Sequence, residues 1–290
     1  MKEIITAIDI GSVSVAVVQI DKTGRVAATA GEPHFGSVDR TLQACLRRLG
    51  ADYNAIKVAT SSSPAVLSTV PRVNNLVAAV QAVRRLHPRA RGLLLVGGEK
   101  FSLTLLREDG SYLYTRTNTL CAAGTGSFLD QQARRLGLSN SADLARLALQ
   151  NQGERPRIAS RCAVFAKTDL IHAQQEGYSL PAICDGLCRG LAANIYDTLF
   201  AGENVTPPVV FAGGVALNEA ARRHLEELSG LELMVDELAP FYCAYGAALE
   251  YLQTSAGMTA FDRRPEKSDA QPAGEAARTY YPPLEPVRGQ

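Results

Sequence analysis

Apolar residues run together at 4–10 and again at 13–20, with Gly11 between the two blocks and a polar stretch ending in Gly24 behind them. That pattern predicts strand, tight turn, strand. It returns downstream, because a shift of 86 positions lays residues 8–24 on 94–110, Gly11 on Gly97 and Gly24 on Gly110, without a gap. A gapless internal echo predicts a chain built from two similar halves. Between the hairpins, apolar residues at helical spacing mark 41–49 and 76–86, and a short strand is predicted at 56–60. Beyond the second hairpin the helical period governs 127–136, 141–150, 163–175, 180–200 and about 217–228. The apolar strand 209–212, ending in Gly213-Gly214, stands before the last of these. The expectation is an α/β protein with a first lobe at 1–87 and a second at 88–254. Residues 255–290 lose the periodicity and collect proline, lysine, glutamate, alanine and glycine, which reads as a tail or linker.

Composition narrows the function. Of 290 residues, 46% are hydrophobic and 20% charged, which is ordinary for a globular protein, and a formal net charge of +1 provides no basic field for nucleic acid. No apolar run approaches the roughly 20 residues that span a bilayer, and acids at Glu3 and Asp9 interrupt the amino-terminal apolar stretch that a signal peptide needs. The expectation is a cytoplasmic protein whose six cysteines stay reduced.

Glycine at a tight turn lets backbone approach a ligand closely, and exposed N–H groups there cradle phosphate oxygens. Two facing turns at Gly11 and Gly97 would grip one polyphosphate, whereas two ordinary hairpins with glycine at the bend remain the alternative. The strand, double glycine and helix around 209–217 form a further nucleotide contact of the same kind. Cys121 and Cys162 each open a helical pattern, and a helix amino terminus favours a thiolate. They are either ligands of an anionic cluster or small core residues; as ligands they supply half of a cubane's four thiolates, and a two-fold dimer would supply the rest. Cys184 and Cys188 share a helix face with apolar neighbours and read as core, as do Cys45 and Cys243.

The segments Asp9-Ile10-Gly11-Ser12, Cys121-Ala122-Ala123-Gly124-Thr125-Gly126, Cys162-Ala163-Val164-Phe165-Ala166 and Gly213-Gly214-Val215-Ala216-Leu217-Asn218 together resemble the activator component of 2-hydroxyacyl-CoA dehydratases and the related ATPase subunits of benzoyl-CoA reductases, over roughly residues 4–253. The resemblance implies an actin/hexokinase/Hsp70-like (ribonuclease H-like) duplicated fold with Mg-ATP between two lobes. It implies a homodimer holding one [4Fe–4S] cluster between subunits, with Cys121 and Cys162 as the ligands. ATP hydrolysis would then drive one low-potential electron, supplied by a ferredoxin or flavodoxin-like donor, into a partner iron–sulfur dehydratase or reductase. On the matching positions, Asp9 would hold the metal ion or its water, N–H groups of Gly11, Ser12, Gly97 and Gly98 would cradle the phosphates, and Gly213 and Gly214 would flank the adenosine.

Two positions depart from the family pattern. Leu95 stands where the second phosphate motif begins with aspartate, and Lys100 stands where it carries another acid. Leucine neither positions water nor acts as a base, so hydrolysis would rest on Asp9. Residues 96–101 and 126–136 look more like the first activase-like domain of long multidomain relatives. The alternatives on the same fold are a poorly hydrolysing regulatory or docking module and a small-molecule kinase.

Overall fold

A computed structural model of the chain describes residues 4–64, 69–118, 126–159 and 163–255. Cys121, Cys162 and the tail beyond 255 lie outside the described residues. The first half supplies β1 (Ile5–Ile10), β2 (Ser14–Ile20), β3 (Val26–Pro33), α1 (Val38–Arg48), β4 (Ile56–Thr60), β5 (Arg72–Val73) and α2 (Asn75–Leu86). The second supplies β6 (Gly92–Val96), β7 (Phe101–Leu106), β8 (Tyr112–Thr117), α3 (Gly126–Arg135), α4 (Ser141–Ala148), α5 (Ala163–Gln175), α6 (Leu180–Ile195), β9 (Val209–Ala212), α7 (Glu219–Ser229), β10 (Leu233–Met234) and α8 (Tyr242–Ser255).

The strands form two five-stranded sheets ordered β3-β2-β1-β4-β5 and β8-β7-β6-β9-β10. Each is an antiparallel meander followed by two parallel strands, so the duplication read from the glycines extends to sheet topology. It extends to register as well. Ile10 pairs with Val15 and Val96 with Phe101, 86 positions on. Gly24 and Gly110 both close their turns at positive φ, +78° and +75°, which glycine alone adopts without strain.

Period-two alternation places the strands' side chains in separate layers. Ile8, Ile10, Val15 and Val17 pack against α1, whereas Ile5, Ala7, Ala16 and Val18 point the other way onto α2 and α8. Burial on both faces explains why β1 is nearly all apolar. Leu93, Leu106, Val210 and Ala212 of the second sheet reach the same α2–α8 layer from the opposite side. The remaining helices cover the second sheet's far face. Asp9 therefore continues the Ile5–Ala7 face, at the end of β1 where that layer stops.

Five of these elements were absent from the sequence reading: β3, β8, α8 and the two-residue strands β5 and β10. β3 and β8 are edge strands with largely exposed side chains, so neither carries a clean alternation. α8 is buried on nearly every side over 242–249, which removes the apolar stripe that marks a surface helix. It follows the second half in sequence but packs on α2 and the first sheet, where a Cβ on Gly246 would fall 1.6 Å from the carbonyl oxygen of Ala78. The predicted helix 180–200 ends its regular turns at Ile195 and finishes in a wider turn, Tyr196–Phe200. The one at 217–228 begins at Glu219, capped by Asn218 after a short Gly214–Leu217 turn.

Candidate functional site

The loops that end β1, β6 and β9 meet. The two hairpin turns face each other so closely that a Cβ on Gly98 would lie 2.3 Å from Val13 Cγ2 and 3.0 Å from Ser12 Oγ. The carbonyls of Gly97 and Gly98 accept hydrogen bonds from the N–H groups of Gly126 and Ser127, at 3.1 and 2.9 Å, which fixes the head of α3 against the second turn. Gly213 has φ +92°, and a Cβ there would fall 2.2 Å from the Val96 carbonyl oxygen. Only glycine fits between β6 and β9 at that point. Gly214 has open space around it and is exposed. The structure thus brings Gly11, Ser12, Gly97, Gly98 and Gly213 to one place.

Not every N–H group in these turns is available. That of Gly11 donates to Ser14 O at 3.0 Å, and that of Gly97 donates to Lys100 O at 2.8 Å. Each closes its own turn, so of the four predicted phosphate contacts Ser12 and Gly98 are the ones whose N–H groups do not close a turn.

Asp9 stands beside the first turn in a polar cluster that sequence reading missed. Its Oδ1 accepts from Thr60 Oγ1 at 2.5 Å, Ser62 Oγ at 2.9 Å and Asn75 Nδ2 at 3.0 Å. Ser63 Oγ lies 3.3 Å from both Thr60 Oγ1 and the N–H of Ile10, which it accepts. No described residue donates to Asp9 Oδ2. The sequence carried a partial signal, a serine run directly after a strand and an Asn-Asn pair heading an apolar helix, but the contacts are tertiary.

The second lobe repeats this backbone without its chemistry. Leu95 pairs with Ala212 across β6 and β9, as Asp9 stands beside Thr60 across β1 and β4, and Leu95 packs into the α2–α8 layer. Of these two matching strand ends only the first carries a carboxylate, and Glu99 and Lys100 lie exposed in their turn. Cys243, at the head of α8, sits behind the cluster with its Sγ 3.8 Å from Asn75 O. Burial, and then the charge of Asp9, pushes its thiol well above the ordinary range, so it is a core thiol and not a thiolate.

Among the described residues no three histidine, cysteine or acidic side chains converge as a metal site. The helices that follow the two candidate cysteines are described: α3 from Gly126 and α5 from Ala163. α5 exposes Phe165 (65%) and Ile171 (43%).

Several known proteins are similar to this chain. The (R)-2-hydroxyglutaryl-CoA dehydratase activating ATPase of Acidaminococcus fermentans is 35% identical over 162 residues, 56% of this chain and 61% of that protein. The 2-hydroxyisocaproyl-CoA dehydratase activator of Clostridioides difficile is 29% identical over 178 residues, 61% of this chain and 66% of that protein. The matched part therefore spans less than two thirds of these relatives. The solved activator of the 2-hydroxyisocaproyl-CoA dehydratase from Clostridium difficile, with bound ADPNP, superposes with a TM-score of 0.79 at 24% identity, over 90% of this chain and 99% of that one. The fold is the actin- and hexokinase-like one, two mixed sheets with helices. The profile of the BadF/BadG/BcrA/BcrD ATPase family matches residues 7–250. That span begins inside β1, ends inside α8 and takes in every turn of the cleft, and the chain accordingly belongs to the BadF/BadG/BcrA/BcrD ATPase family.

Proposed function

We propose that this chain is an ATP-dependent reductive activase, which hydrolyses Mg-ATP between its lobes and drives a low-potential electron into a partner iron–sulfur enzyme of the (R)-2-hydroxyacyl-CoA dehydratase or benzoyl-CoA reductase kind. The observation that carries the reading is the meeting of the Gly11, Gly97 and Gly213 loops beside a carboxylate whose Oδ2 accepts from no described residue. Ser12 and Gly98 N–H groups and the head of α3 favour negative charge at that place. Asp9 fits a magnesium ion or its bound water: three donors hold Oδ1, and Oδ2 remains for a hard cation or a polarised water. When bound, magnesium neutralises phosphate charge and polarises water. Asp9 would hold that ion or its water through Oδ2 and would serve as the base, and because Leu95 and Ala212 stand at the matching strand ends of the second lobe, slow turnover is expected. Gly213 and Gly214 border the nucleoside.

Cys121 and Cys162 would hold one [4Fe–4S] cluster together with the same residues of a second copy. The cluster, when bound, supplies a one-electron store at low potential. The apolar side chains exposed on α5, which begins one residue after Cys162, support a two-fold contact there. A ferredoxin or flavodoxin-like protein is the donor, and the cytoplasm is the compartment that keeps such thiols reduced.

A second reading, a regulatory or docking module that binds nucleotide and hydrolyses it poorly, is favoured by Leu95 and Ala212 alone. Phosphate release from Mg-ATP separates the two. The parent is expected to turn over slowly and Asp9→Asn to lose about a hundredfold or more. Turnover undiminished in D9N overturns the assignment of Asp9; tight Mg-ATP binding with no turnover in the parent replaces the activase with the module.

A further inference from the structure

We propose that Asn75 is the positioning residue of the site, holding Asp9 with one carboxylate oxygen turned to the ligand and tying it to the Gly213 loop of the other lobe; the proposal rests on the nucleotide reading above. Asn75 is the first residue of α2, and the preceding Asn74 caps the helix by accepting from the N–H groups of Leu76 and Val77. The cap leaves the Asn75 side chain no helix-terminal duty, yet every part of its amide is engaged. Its Oδ1 accepts from Ser62 N at 3.0 Å and Ser61 Oγ at 2.8 Å. Its Nδ2 donates to Asp9 Oδ1 and to Ser62 Oγ, both at 3.0 Å.

The orientation of the amide is fixed by chemistry. A backbone N–H only donates, so the Asn75 atom facing Ser62 N must be the oxygen, and the atom facing Asp9 must be the NH₂. Asn75 thus delivers a donor to an ionised acceptor, a strong class of hydrogen bond. Thr60 comes from β4 and Ser62 from the loop after it, so Asn75 supplies the only described contact to Asp9 from a helix. A rigid helix end holds a functional group better than a loop does.

The same residue faces the second lobe. Its carbonyl accepts the Cys243 thiol at the head of α8. The turn leading into α8 carries Ala239, whose carbonyl accepts the N–H of Gly213 at 2.8 Å. Hydrogen bonds therefore join Asp9 to Asn75 and Asn75 to Cys243, the backbone runs from Cys243 back to Ala239, and Ala239 holds the glycine loop of the other lobe. Among the described residues the second lobe shows no counterpart: Leu95 and Ala212 stand at the matching strand ends, and Glu219, which opens α7 as Asn75 opens α2, is exposed.

Calorimetric titration with ADP, once with magnesium and once with EDTA, tests this on the full chain. The parent is expected to bind ADP more tightly with magnesium, and D9N to lose that gain. Asn75→Ala is expected to lose about tenfold of the magnesium-dependent gain while its affinity in EDTA stays at the parent's. A merely structural role would weaken binding equally in both buffers, and that result overturns the proposal. So does a full gain in N75A when D9N has lost it. A gain retained in D9N refutes instead the reading of Asp9 on which the proposal stands. Should N75A not fold, Ser62→Ala removes another donor to the same oxygen and carries the same expected and contrary results.

Discussion

Between two helices of the second lobe, buried Asp185 of α6 meets buried His224 of α7 at 2.6 Å, with Asn151 Nδ2 donating to the other carboxylate oxygen at 3.0 Å. Burial alone would raise the Asp185 carboxyl, but hydrogen bonds from Asn151 and His224 outweigh it and hold the group below its ordinary value. The folded state then binds that proton less readily than the unfolded chain. The stability Asp185 contributes is present above about pH 4 and is lost as pH falls through its folded value. The urea midpoint of Asp185→Asn should lie below the parent's at pH 7 and approach it at pH 3; an equal gap at both would contradict the account. Cys184 and Cys188 behave oppositely. Burial pushes their thiols up to about 11 and about 12, so alkylating reagent at pH 8 should leave both unmodified in the folded protein. Modification at the rate of a free thiol would remove them from the core. At this scale Asp9 was legible, because it lies in a local strand-turn motif. Thr60 and Asn75 were not, since they arrive from 51 and 66 residues away and only tertiary folding joins them.

Helix α8 shows what an element contributes to the site. It crosses α2 where Gly246 meets the backbone of Ala78, and it places Cys243 behind Asn75 and Tyr245 OH on Gly24 O at 3.0 Å. A methyl group at 246 forces the two helices apart. Gly246→Ala should therefore cost about 3 kcal/mol or more of stability and weaken nucleotide binding with it. Gly177→Ala is the control. It has positive φ but open space, and should cost about 1 kcal/mol with binding intact. Equal denaturation midpoints for G246A and the parent would show that the crossing tolerates separation. The sequence hid α8 because glycine weakens a helix prediction and burial all round erases the periodic stripe, the two properties that make the crossing close. The hairpins, by contrast, were legible because strand, turn glycine and strand are contiguous.

Over the whole molecule, one backbone plan is used twice with unequal chemistry. The gapless 86-residue shift survives as identical strand register and identical turn bonds, Gly11 N to Ser14 O and Gly97 N to Lys100 O. The lobes differ at the strand ends beside the facing turns: Asp9 with Thr60 on one side, Leu95 with Ala212 on the other. On the function proposed above, hydrolysis would be slow and would serve a change between lobes rather than rapid turnover. On the same proposal, that change is coupled to an electron carrier held by Cys121 and Cys162. The most direct test purifies the chain without oxygen, reconstitutes it with iron and sulfide, and measures both beside Cys121→Ala and Cys162→Ala, with ADP binding as the check on folding. The account predicts about four iron and four sulfide per pair of chains in the parent and loss of both in each variant while ADP still binds. A parent that binds neither, or variants that retain the parent's content, would contradict it.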